Sequence, residues 1–348
     1  TSTPIPPEPT LTPWLVDFSA MLDTSATNDQ FSGAVLIAKN EEILLKKAYG
    51  LADRSLNIPN QVDTKFNLGS MNKMFTAIAI LQLVEAGKLS LDDPIIKYLP
   101  NYPNPEVAAQ VTIHHLLTHT SGLGDAFTEQ FAKNPNQYRS NADYLPLFVD
   151  KPLQSQPGEQ FFYSNAGYVV LGLLIEQVSG QSYEDYIQQN ILDPSGMSNT
   201  AAYEIDAAVP GLAVGYTTKD FDSNETGILT SNAALMPGKG FAAGGDYSTV
   251  EDLFHFRTAL LNFELLSPES TELLLTSQVV VRENSNYAYG FFVRTISEQR
   301  MIGHTGGAPG VCSFLFMLPD TNYTIIVLSN SDSGCVLVLD HLRATPLN

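Results

Sequence analysis

Positive charge is scarce in this chain of 348 residues: 18 lysines and arginines face 37 aspartates and glutamates, a formal net charge of −19. Such a balance argues against nucleic acid or an anionic membrane surface as a partner. Long apolar runs are missing as well. No stretch approaches the ~18–20 residues that cross a bilayer, and the most apolar helical segment is interrupted by Gln82 and Glu85. With only two cysteines, Cys312 and Cys335, no disulfide-dense scaffold is possible. These two either pair across the C-terminal region or remain buried thiols.

What is present is a chain long enough for a sizeable core, 44% hydrophobic and only 16% charged. It opens with the Pro- and Thr-rich stretch "TSTPIPPEPTLTP", which reads as an extended leader over residues 1–12 left after removal of a signal peptide. The expected location is therefore periplasmic or secreted.

Periodicity predicts a helix over Thr10–Leu22, then two strands in "FSGAVLIAKNEEILLKKAYGLAD" joined at Lys39–Glu41. Helical patterns dominate from Ser70 onward. One helix runs to about Gly87, and two more are separated at Gly180. Another opens at "STVEDL" with Ser248 and Glu251 spaced as a capping box. Strand signals return in "YAYGFFVRTI", "RMIGHTG", "SFLFMLP" and "YTIIVLSN", with a terminal helix within Ser333–His341. The expected fold is α+β: one antiparallel sheet built from both chain ends and flanked by helices, beside a mostly helical second lobe. We expect a single domain over 13–348, with the sheet lobe at 13–65 and 280–348 and the helical lobe at 66–279.

One lysine is poorly placed by ordinary helix logic. Lys73 falls in the first turn of the Ser70 helix, where the dipole disfavours cations. Side chains at i and i+3 share a face, ~5–6 Å apart at Cβ, so the amine of Lys73 can reach the hydroxyl of Ser70. Near a helix N-terminus and under apolar neighbours such as Phe66 and Met74, the ammonium is disfavoured. A neutral amine there can accept the serine proton, and the first backbone N–H groups face the place where an oxyanion would form. Two further groups fit such a site. "YSN", Tyr163-Ser164-Asn165, precedes a helix, and "HTGG", His304 to Gly307, ends a predicted strand. Taken singly, each has a structural explanation: a satisfied buried tyrosine, an asparagine helix cap, a glycine hairpin turn.

Together and in this order, Ser-x-x-Lys, Tyr-x-Asn and His-Thr-Gly resemble the three-box pattern of the penicillin-recognising serine hydrolases. With Tyr-Ser-Asn as the middle box, the chain resembles the branch holding class C β-lactamases, DD-carboxypeptidases and β-lactamase-like esterases. The likeness covers roughly Leu15 to His341, including "LVEAGKLSLDDPIIKYLP", "VTIHHLLTHTSGL" and "GGDYSTVEDL". It implies a β-lactamase/DD-peptidase-like fold and an acyl-enzyme on an ester or amide: a small ester, a D-amino-acid peptide or a β-lactam. Residue by residue it makes Ser70 the nucleophile, Lys73 its base and Tyr163 the proton relay. Asn165, His304, Thr305 and Gly306 become substrate-binding groups, and the N–H groups of Ser70 and Gly307 the oxyanion hole.

Where many β-lactamases of this branch carry a third-box lysine facing the substrate carboxylate, this chain has His304, expected to be only partly charged near neutral pH. The reading requires no cofactor and no metal. The partner is a small molecule or short peptide, with no nucleic acid and no membrane span. His115 and His119 have zinc-pair spacing but lack the glutamate of H-E-x-x-H, and read as core or loop histidines. "PGKGFAAGG" lacks the Ser or Thr of a phosphate loop and reads as a loop bordering the cleft. The competing class is a non-catalytic or very slowly deacylating penicillin-binding relative.

Overall fold

A computed structural model describes residues 12–220 and 224–344, so the expected leader lies outside the described residues except for Thr12. Eight antiparallel strands form the main sheet: β1 (Gly33–Lys39), β2 (Glu42–Tyr49), β3 (Val279–Arg282), β4 (Ser285–Tyr287), β5 (Phe292–Ile296), β6 (Gln299–Ala308), β7 (Val311–Leu318) and β8 (Tyr323–Ser329). Their order is β2-β1-β8-β7-β6-β5-β4-β3. The two chain ends meet near one edge of it, where β1 lies beside β8 and Gly33 pairs with Ser329 and Lys39 with Tyr323. The α+β sheet built from both chain ends is as expected.

Why β1 and β7 read as continuous apolar runs becomes clear from their two faces. Ala34, Leu36, Leu315 and Met317 face a helical layer, while Val35, Ile37, Phe314 and Phe316 pack under helices at the chain ends. Those are α1 (Pro13–Thr27) and α5 (Gly334–Ala344). Both faces are covered, so alternation of polar and apolar residues disappears. Cys312 and Cys335 pair as a disulfide across 5.5 Å between Cα atoms, tying the first turn of α5 to β7.

The layer on the other face contains α2 (Asn72–Glu85), α3 (Asn165–Ser179) and α4 (Val250–Leu261). Eleven of the fourteen residues of α2 are buried, which makes it the axis of this lobe. Gly180 ends α3 in the left-handed conformation, φ 75°, as a helix C-terminus favours.

Three local expectations are corrected. The cap of α4 is Thr249, whose hydroxyl accepts the Asp252 N–H at 3.1 Å. Ser248 is held instead in a two-residue strand opposite Phe66. The run "YAYGFFVRTI" is interrupted after Tyr287 because Gly290 lies against α2: a Cβ there would stand 2.6 Å from the Lys73 carbonyl. A hairpin of Tyr216–Lys219 and Glu225–Ser231 occupies a stretch for which no strand was expected.

Candidate active site

Ser70 sits in a single 3₁₀ turn, Gly69–Met71, leading directly into α2. Fixed bonds hold that turn on two sides. The Ser313 hydroxyl on β7 donates to the Leu68 carbonyl at 2.8 Å, and the Leu68 N–H donates to the Asp246 carbonyl at 2.7 Å. Asn67 accepts the Gly69 N–H at 2.8 Å and donates to the Gly245 carbonyl at 3.1 Å. Two glycines allow the close approach to β6. Gly69 has φ +52°, and a Cβ on it would lie 2.8 Å from the Gly307 nitrogen. A Cβ on Gly306 would lie 1.9 Å from the Leu68 carbonyl oxygen. The exposed Gly307 therefore abuts the Ser70 turn, and Thr305 beside it is half-buried.

Lys73 is fully buried one helical turn below. Its amine donates to Asn165 Oδ1 at 2.8 Å and to the Ala243 carbonyl at 2.6 Å. Burial lowers its pKa from 10.5 to about 7, and the Asp125 carboxylate opposes that fall. A neutral amine has two N–H bonds, both used here, and its lone pair remains for a proton. Tyr163 stands just before the N-cap of α3, and its pKa is pushed up by burial, partly offset by a hydrogen bond with the Ser70 hydroxyl. It is a phenol at neutral pH.

Asn165 begins α3 behind the N-cap Ser164, whose hydroxyl accepts the Gly167 N–H. The Asn165 amide bridges two charges: its oxygen takes Lys73, and its NH2 group donates to both oxygens of Asp125 at 3.0 and 3.2 Å. Asp125 has no local signature in the sequence. It ends the loop "THTSGLGD", whose His119 is also part of the site's structure. The His119 ring lies 4.2 Å from that of Tyr163 and 4.7 Å from that of Tyr287. Its Nδ1 accepts the Ser164 N–H at 3.1 Å, and burial holds its pKa well below the ordinary value. His115 lies apart from it, accepting the Thr112 N–H at the start of the short helix Ile113–Leu117.

His304 differs from its expectation. Its ring is 1% exposed, with Nδ1 donating to the Thr305 carbonyl at 2.6 Å and Nε2 accepting from the Tyr287 hydroxyl at 3.1 Å. Burial first, and the Lys73 charge second, lower its pKa to about 3. The imidazole is neutral, not partly charged, and lies inside the protein behind Tyr163, ring centroids 6.4 Å apart.

The loop "PGKGFAAGG" does more than border the cleft. The carbonyls of Phe241, Ala242 and Ala243 accept hydrogen bonds from Asn72, Thr76 and Lys73, so it is fixed to the first turns of α2. A cavity of about 290 Å³ opens over Ser70 between this loop and the end of β6. Its outer walls are Phe127, Phe131, Leu235, Met236, Pro237 and Phe241. A half-exposed serine hydroxyl, a buried amine poised near neutrality, a phenol beside both and adjoining backbone N–H groups make an arrangement suited to acyl transfer.

Such a fold and site define a serine hydrolase. The family model described as beta-lactamase matches residues 18–344, and the chain belongs to the beta-lactamase family. It is 32% identical over 326 residues to penicillin-binding protein 4* of Bacillus subtilis (strain 168), covering 90% of this chain and 71% of that one. The crystal structure of a penicillin binding protein from Bacillus halodurans superposes with a TM-score of 0.85 at 37% identity, covering 93% and 98% of the two chains. D-amino acid amidase from Ochrobactrum anthropi SV3, complexed with L-phenylalanine, shares the fold at a TM-score of 0.81 and 23% identity, covering 94% and 97%. No described helix is long and apolar enough to cross a membrane.

Proposed function

We propose that the enzyme hydrolyses an ester or amide through an acyl-enzyme on Ser70. Lys73 takes the Ser70 proton as the oxygen attacks the carbonyl carbon. The N–H groups of Ser70 and Gly307 receive the oxyanion. Tyr163 then passes a proton to the leaving group as the C–O or C–N bond breaks, and is reprotonated from the Lys73 ammonium. Water enters, gives its proton back along the same path, and releases the acid. The observation that carries this reading is the buried Lys73 with both N–H bonds committed to acceptors and a pKa of about 7. An amine needed only for structure has no reason to be held at the point where it exchanges protons in neutral water.

Asn165 orients Lys73 and, with Thr305, stands ready for the polar groups of a bound substrate. Gly306 admits the Ser70 turn to β6, and His304 is assigned to packing behind Tyr163. An exported location is supported by the Cys312–Cys335 disulfide, a bond of oxidising compartments. The test is turnover of a p-nitrophenyl ester by wild type and by Ser70→Ala. Loss of all enzymatic release in the variant is expected; release at a tenth of the wild-type rate or more would refute Ser70 as nucleophile.

A further inference from the structure

Proximity of the cavity to Ser70 raises the question of which half of a substrate it receives. Ser70, Gly69 and Gly307 are among its lining residues, whereas Tyr163 is not. The leaving group departs toward its proton donor, so the half opposite Tyr163, the acyl half, enters the cavity. Among the described residues, no ionisable side chain of either sign lines it. The cations beside the 237–241 wall are already engaged. Lys239 pairs with Glu184 at 3.1 Å, and Arg139 with Glu204 and Asp206. Lys73 lies buried behind the Ala243 wall with its amine committed to Asn165 and the Ala243 carbonyl, and His304 has both ring nitrogens occupied inside the protein. A carboxylate entering this cavity would be desolvated with no cation on the lining to pair with it.

We infer that the cavity selects an uncharged, apolar acyl group and rejects one bearing a carboxylate. Its volume of about 290 Å³ gives room for an acyl group of the size of hexanoyl or phenylacetyl. The Phe127, Phe131 and Phe241 rings supply flat apolar walls, and Leu235 and Met236 supply adaptable ones. This selectivity rests on the Ser70 acyl-enzyme reading above.

Two esters of nearly equal length test it: p-nitrophenyl hexanoate and the mono-p-nitrophenyl ester of adipate, assayed with wild type, Leu235→Arg and Ser70→Ala. Wild type should favour the hexanoate at least tenfold in kcat/KM, and Leu235→Arg should move that ratio at least fivefold toward the adipate ester. Equal wild-type rates for the two esters, with Ser70→Ala inactive, would overturn the acyl-pocket inference and leave the nucleophile standing. An unmoved ratio in an active Leu235→Arg would overturn it too. Release persisting in Ser70→Ala, or no wild-type release of either ester, would instead overturn the nucleophile reading on which it rests.

Discussion

Raising the pH through the titration of Lys73 perturbs the site without changing any atom but one proton. Burial takes the amine from the ordinary 10.5 to about 7, worth about 5 kcal/mol at 1.36 kcal/mol per pH unit. At pH 7 about half of the enzyme then holds a neutral amine, against roughly three in ten thousand for an unperturbed lysine. Only the neutral amine can take the serine proton. Acylation, followed as kcat/KM for a p-nitrophenyl ester, should climb about tenfold per pH unit below neutrality and level off above pH ~8. Asp125 favours the ammonium, so Asp125→Asn should move the midpoint to lower pH. A rate still rising from pH 8 to pH 10, or flat from pH 5 upward, would show that this amine is not the base.

The same proton has a consequence for stability. Between about pH 7 and 10.5 the unfolded chain holds a proton on Lys73 that the folded chain has released, so stability rises with pH across that window. Urea unfolding should show wild type gaining about 2 kcal/mol on Lys73→Met between pH 7 and pH 9; parallel changes in the two proteins would deny the depressed pKa. Gly306→Ala forces a methyl group against the Leu68 carbonyl, which should cost about 1–3 kcal/mol of stability. It should lower kcat at least tenfold by displacing the Ser70 turn, and unchanged kcat in a stable variant would mean that β6 does not set the serine's position.

Several features of the site were legible because they are local. A Ser-x-x-Lys pair fixes one helical face whatever the rest of the chain does, and Tyr163-Ser164-Asn165 announces a helix start, although the cap is Ser164 and not the expected Asn165. The apolar strands at both chain ends announced the sheet. What stayed hidden is tertiary. Asp125 reaches Asn165 across forty residues, with no spacing rule to reveal it, and His119 meets Tyr163 only because two loops converge there. The three loop carbonyls that accept from Asn72, Thr76 and Lys73 are backbone groups, present in every residue and so invisible in sequence. His304 was found as a member of its motif but given the wrong charge state. Exposure decides that state, and exposure depends on Tyr287 and the strands beside it.

Intact-mass measurement after exposure to an alkyl fluorophosphonate at pH 8 tests the central claim most directly. The acyl-enzyme account predicts one alkylphosphonyl adduct, mapped to the peptide containing Ser70, absent in Ser70→Ala and formed at least a hundredfold more slowly in Lys73→Ala. An adduct on another residue, one that persists in Ser70→Ala, or none in the wild type would contradict it.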